Sequence, residues 1–449
     1  MKGNKTMKKH WLKDSIGIRL AIIAFLTLIL LIPAAMIQSL IRERQDRRDG
    51  AISEVSEKWG KSQVISGPVL SIPYRYYFKN DRNETLTAIR YAHFLPEDLN
   101  AESTMRPEIR YRGIYEIVLY NAVVHLQGNF SALDFSDLKI SSEDILWNDA
   151  FLSIGITDMK GIKDLITVQW NENSYAANPG IQTNDVLESG ISTPVKLVST
   201  GGANKFSLEI NINGSSGLFL TPVGKETKVK IQSEWKDPSF LGQFLPEDHT
   251  ITKNGFTADY KILHLNRNYP QQWIGDRYKI QASAFGVNLL LPVDEYQKTM
   301  RTAKYAVMFI SLTFLTFFMI ELLNKKVLHP IQYLLIGFAL LVFYTLLLSF
   351  SEHIVFKYAY LLAGVAIIGL ITAYTKSVLK SNLQTSIIAG VLVLLYGYLY
   401  IVLQLQDFAL LMGSIGLFII LATVMFLTRK IDWFSVMKGN EESETADSV

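Results

Sequence analysis

Along this chain the apolar positions change their rhythm twice. They run nearly unbroken over 20–41, alternate with polar positions through a long middle stretch, and become continuous again from 305 to 427. A hydrocarbon layer of about 30 Å takes about 20 apolar residues in a helix. Six windows approach that length: 20–41, 305–323, 331–350, 358–375, 384–403 and 408–427. The first stands alone, whereas the other five are joined by connections short enough to make neighbouring helices antiparallel. The first window reads as a retained anchor and not as a cleaved leader, because the apolar run continues past "PAA" (Pro33 to Ala35) through Met36, Ile37, Leu40 and Ile41.

Between the first two windows the period falls to two. After a short helical lead-in, where Ile52, Val55 and Trp59 recur at spacings of three and four, Leu70, Ile72, Tyr74, Tyr76 and Phe78 share one strand face. So do Ile109, Tyr111, Tyr115, Ile117 and Leu119, then Leu208, Ile210 and Ile212, then Val229, Ile231, Ser233 and Trp235. Strands with one dry and one wet face, broken by Gly, Pro and Asn, predict antiparallel sheets packed as a sandwich or open barrel, with room for two lobes. "GSSG" (Gly214 to Gly217) reads as a hairpin turn. "FLPED" occurs at Phe94 to Asp98 and again at Phe244 to Asp248, so a duplicated unit and convergent turn chemistry both stand as explanations. The fold class is thus an α+β membrane protein: a basic segment 1–19, an anchor helix 20–41, a β-rich domain 42–304, a five-helix transmembrane bundle 305–427 and a tail 428–449.

Charge sets the expected orientation. Lys2, Lys5, Lys8, Lys9, Lys13 and Arg19 precede the first span, Lys325 and Lys326 join the second to the third, Lys376 and Lys380 the fourth to the fifth, and Arg429 and Lys430 follow the sixth. Basic residues gather on the cytoplasmic side, which puts both termini in the cytoplasm and the β-rich domain outside. The arginines of "RERQDRR" disagree, but they open a long translocated region, where the rule is weak. Composition agrees with a membrane protein: of 449 residues 49% are hydrophobic and 19% charged, with mean hydropathy +0.19. A net charge of +3 points to no nucleic-acid partner, and the absence of cysteine removes disulfides and thiolate chemistry.

Candidate chemistry is sparse. No two of the seven histidines have metal-ligand spacing on a helix, so no metal or cofactor is expected, and no nucleophile motif appears. Five polar residues near the span ends are candidates: Glu321, one helical turn before Lys325 and placed to pair with it; His329, ahead of Pro330; Glu352 and His353, ending the third span; and Asp407, opening the sixth. Glu352 and His353 are either an acid/base pair or the point where a helix re-enters water, and their terminal position favours the second reading. In the fourth span Ala359, Ala363, Ala366, Gly369 and Ala373 fall on one face suited to close helix packing. Tyr396, Tyr398 and Tyr400 read as an aromatic belt, with a cavity lining as the alternative.

Several long blocks occur in order: "LILLIPAAMIQSLIRERQDRR" with "GPVLSIPY", "PSFLGQFLP", "RTAKYAVMFISLTFLTFF", "LHPIQYLLIGFALLVFYTLLLSFSEHI" and "ALLMGSIGLFIILATVMFLTRKIDWF". Through them the chain resembles the CreD family of bacterial inner-membrane proteins, associated with cell-envelope integrity, over almost its whole length. The resemblance implies the same architecture and a non-enzymatic role in the envelope. The lipid bilayer and an envelope component or a periplasmic or membrane protein are the expected partners. It carries over no catalytic residues. The alternatives are a transporter or lipid-handling protein with a path lined by Glu352, His353, Asp407 and the tyrosines Tyr396, Tyr398 and Tyr400, and a membrane-embedded hydrolase or transferase using His353 with Glu352.

Overall fold

The computed structural model describes residues 16–197, 202–289, 295–324, 328–404 and 409–429. Two units are distinct, one formed by Met1–Arg47 with Val293–Val449 and the other by Arg48–Pro292.

The helical unit begins with helix α1 (Ile16–Trp59), which does not stop where the apolar run ends. The polar residues beyond Ile41 sustain the helix through pairs at one-turn spacing, such as Arg47 with Glu43 at 2.6 Å and Lys58 with Glu54 at 2.8 Å. The expected lead-in around Trp59 is therefore the end of this same helix. An amphipathic helix α2 (Glu295–Lys304) precedes α3 (Ala306–Asn324), and the chain bends by 43° between them. The segment 295–304, expected to close the β-rich domain, is thus helical. Helices α4 (Pro330–Ser351), α5 (Phe356–Leu379), α6 (Asn382–Gln404) and α7 (Ala409–Thr428) follow. Among the described residues, α1, α4, α5 and α6 are each long and apolar enough to cross a membrane, the bent pair α2 and α3 qualifies as one span, and the apolar part of α7, Leu411–Phe426, falls short. Several apolar helices after a β-rich middle are what the pattern predicted.

In the β unit the described strands form a nine-stranded and an eight-stranded sheet. The first centres on β1 (Gln63–Lys79), which pairs antiparallel with β2 (Thr85–Phe94) and with Phe151–Ile156, and parallel with Gly217–Leu220. The second contains the hairpin of β3 (Asp98–Arg112) and β4 (Tyr115–Phe130), flanked by Asn204–Ser215 and, in parallel, by Glu226–Ser233. Leu70 and Ile154 of the first sheet and Leu126 and Ile210 of the second belong to one buried core. The unit is therefore two layers around a single core, not two lobes, and its sheets are mixed, because two long crossovers bring later strands back in parallel.

The period-two faces hold where another strand or layer covers them. Leu70, Ile72, Tyr74, Leu208, Ile210, Ile212, Val229 and Ile231 are buried, but Phe78, Ile109 and Tyr111 are exposed. The reason is register: Glu226–Ser233 covers β3 only to Met105 and Asn204–Ser215 covers β4 only to Leu119, so the β3–β4 hairpin runs on as a two-stranded ribbon, as β1 and β2 do beyond the Phe151–Ile156 partner, which ends at Ser71.

"GSSG" is not a hairpin turn. It carries the chain from Asn204–Ser215 in one sheet to Gly217–Leu220 in the other. A Cβ on Gly214 would run into the Tyr120 ring, and the Tyr120 hydroxyl donates to the Gly217 carbonyl at 2.7 Å, so Gly214 makes room for a buried tyrosine that the Gly217 carbonyl holds. Both "FLPED" segments also join a strand of the first sheet to a hairpin of the second. In each, the glutamate N–H donates at 2.8 Å to the residue facing the following aspartate, Glu97 to Asn129 and Glu247 to Asp259.

Candidate functional site

Two polar clusters join α1 to the other helices of its unit. In one, Glu321 of α3 is 5% exposed; its carboxylate accepts from Arg19 Nη1 at 3.0 Å and from the Tyr333 hydroxyl at 2.9 Å. The expected partner, Lys325, lies outside the described residues. In the other, Glu352 ends α4 with its side chain 10% exposed, accepting from the Tyr296 hydroxyl at 3.0 Å and facing Arg44 Nε at 3.8 Å. Around it, Thr299 and Ser351 bring their hydroxyls to 3.5 Å, and Glu295 accepts from the Phe356 N–H at 3.4 Å, an anion at the N-terminus of α5. Arg19 and Arg44 are 25 positions apart on one helix, a rise of roughly 37 Å, longer than the hydrocarbon layer of about 30 Å. Tyrosine to carboxylate bonds are charge-assisted, and they hold the anions among apolar helices.

The five polar candidates therefore part company. Glu321 and Glu352 turn inward to partners on other helices. His353 is exposed, and His329 is exposed and caps α4, its Nδ1 accepting from the Ile331 N–H at 3.3 Å. The pair Glu352 and His353 is thus split, one tied to the bundle and one at the surface. Asp407 lies outside the described residues. Of the proposed small-residue face, Ala359 and Ala363 are buried, whereas Ala366, Gly369 and Ala373 are exposed. Tyr396 is no belt residue, since it lies in the bundle core, edge-on to Phe309 at 5.3 Å and Phe343 at 4.7 Å. Tyr398 donates to the Met412 carbonyl, and the rings of Tyr400 and Tyr360 are 5.3 Å apart.

Sequence reasoning had no signal for the β unit's main concavity. A cleft of about 1070 Å³ is bounded by β1, β2, the segment 137–144 and the segment 270–278. Its lining carries five tyrosines, Trp273, four basic and four acidic side chains. The wall 270–278 is fixed by Gln271, whose backbone carbonyl accepts from Leu95 N–H at 2.8 Å and whose amide donates to the Pro96 carbonyl at 2.7 Å. Arg267 anchors the same wall, donating to the Val223 carbonyl at 3.2 Å; burial lowers its guanidinium to about 10.

At the cleft's inner end a hydrogen-bonded chain runs from Asp185, on its lining, into the sheet. His93 Nε2 lies 3.1 Å from Asp185 Oδ2, and His93 Nδ1 lies 2.9 Å from Ser71 Oγ. Ser71 and His93 face each other across the β1–β2 register. Burial holds the imidazole below its ordinary value and so neutral, against the opposing pull of Asp185. A carboxylate only accepts, so the ring proton sits on Nε2 and Nδ1 accepts from the serine hydroxyl. The order Ser, His, Asp evokes a nucleophile triad, but Ser71 is only 2% exposed and no acyl group can reach it. The chain does something else: it fixes the orientation of Asp185.

Comparison with known proteins places this architecture. The family model described as "Inner membrane protein CreD" matches residues 15–434. The chain is 32% identical over 434 residues to the inner membrane protein CreD of Escherichia coli (strain K12), covering 94% of this chain and 95% of that protein.

Proposed function

The chain belongs to the CreD family of inner membrane proteins, and from that premise we propose that it supports the integrity of the cell envelope without catalysing a reaction. Its apolar helices form a five-helix bundle beside the anchor α1, both termini are cytoplasmic, and its β unit is periplasmic, where it binds an envelope component or a protein partner. The observation that carries this reading is the cleft of the β unit, which is large, lined by aromatic and charged side chains, and supported by an inner layer of hydrogen bonds. Sites of this construction hold ligands. The closed position of Ser71 argues for binding over turnover.

The test is complementation. A deletion strain is scored for detergent sensitivity and dye uptake, with protein abundance checked by blotting. The wild-type chain restores the barrier, and a Tyr77→Ala, Asp185→Asn variant at normal abundance does not. No barrier defect in the deletion strain removes the envelope role, and full rescue by the variant removes the cleft from it.

A further inference from the structure

The cleft's chemistry narrows its ligand. On β2 the alternation places His93, Tyr91 and Ile89 on one face, and the register sets Ser71, Pro73 and Arg75 opposite them on β1, with Tyr77 next along. From the buried Ser71–His93 pair a strip of side chains therefore runs outward for six residues, roughly 20 Å. At its inner end stand Asp185, held by His93, and Trp273, whose ring is 5.7 Å from His93 and 5.6 Å edge-on from Tyr278. Trp273 is itself only 3% exposed and backs the wall, leaving the half-buried Tyr91 and Tyr278 as the aromatic surface at this end. At its outer end Tyr77 is 51% exposed, a large aromatic surface open to solvent.

Each class of ligand wants a different lining. A phosphate-rich polymer needs a clear excess of positive charge, whereas four basic side chains here meet four acidic ones. A lipid tail wants an apolar slot, and this wall is studded with charges. An added peptide strand is read by backbone pairing along a free strand edge, such as β2 offers before Ala92, and it would leave the side chains of the strip's face, Asp185 among them, unused. A neutral polyhydroxylated chain fits: its C–H faces lie on aromatic rings, and its hydroxyls, which both donate and accept, use acidic and basic side chains alike. The strip's length of roughly 20 Å suits several sugar rings in a row.

We propose that the strip bearing Arg75, Tyr77, Tyr91, Asp185 and Tyr278 binds an oligosaccharide, with Asp185 as a pre-set acceptor for ring hydroxyls. This rests on the reading of the β unit as a ligand-binding domain. The test uses the full-length chain in detergent, titrated by calorimetry with tetramers of N-acetylglucosamine and of glucose, and with an uncharged extended hexapeptide. At least one tetrasaccharide binds saturably. Tyr77→Ala and Asp185→Asn each weaken it about tenfold, the effect of losing one good contact, while Tyr111→Ala, an exposed tyrosine on the other sheet, leaves it unchanged. Since Tyr77 is half exposed, its loss does not unfold the domain. The proposal fails if neither sugar binds, if only the peptide does, or if binding ignores Tyr77→Ala. Failure here with continued failure of the double variant to restore the barrier would remove the sugar and keep the envelope role.

Discussion

Two histidines show how far position decides chemistry. His93 is fully buried, and the cost of charging it in a dry site holds its folded value below the ordinary 6.5. An unfolded chain takes up that proton first as pH falls, so the stabilising contribution is complete above about 6.5 and is lost as pH drops from there toward the folded value, by at most about 1.4 kcal/mol per unit. Denaturant unfolding at pH 7.5 and 5.5 should show a loss in the wild type that His93→Gln reduces; equal losses in both would disprove it. His353 has no such role. His353→Ala should move thermal stability in detergent by no more than about 0.5 kcal/mol, whereas Glu352→Ala, which strips Tyr296 and Arg44 of their acceptor, should cost about 1.5–3 kcal/mol. Equal effects would return the two to a single unit. Glu321 marks the limit of reading by neighbours: a lysine one turn away was visible, but Arg19, which pairs with it from 302 positions off, was not.

Among the elements, α5 turns its small residues only partly toward the face that this unit buries. Its buried positions step by four, through Ala359, Ala363, Ile367, Ile371 and Thr375, and each step overshoots a full turn by about 40°. Two steps of three carry the small residues the other way, by about 60° each, so the two sets separate after Ala363. The tight crossing lies elsewhere. A Cβ on Gly337 of α4 would sit 2.2 Å from Leu30 Cδ1 of α1, and Leu30 is fully buried. Gly337→Val should therefore reduce membrane abundance, Leu30→Ala should restore part of it, and Gly369→Val on the exposed side of α5 should be tolerated. Loss in Gly369→Val but not in Gly337→Val would reverse this assignment. The two "FLPED" turns are the opposite case. A five-residue echo with unlike flanks marks the same sheet-to-sheet step, because the shared residues make the same backbone bond.

For the whole molecule, the order of units was legible because hydrophobic period is a local property. A bilayer span and a one-sided strand both announce themselves within twenty residues. The cleft was not, since Tyr77, Asp185 and Trp273 are far apart in the chain and are gathered on its walls only by sheet register and by the turn that brings Asp185 to His93. Orientation can be checked cleanly because the chain has no cysteine. Leu245→Cys in the β unit should react with a membrane-impermeant maleimide on intact cells, and Asn382→Cys at the start of α6 only after permeabilisation; the reverse pattern would invert the proposed topology.

The parallel pairing of β3 with Glu226–Ser233 has a consequence in time. β3 can close its hairpin with β4 as soon as Phe130 is made, but the strand that covers its other side is complete only at Ser233, about 100 residues later. At the usual 5–20 residues per second of synthesis, that edge waits roughly 5–20 s. Throughout that interval the nascent chain presents an uncovered strand, a template for wrong pairing with another copy.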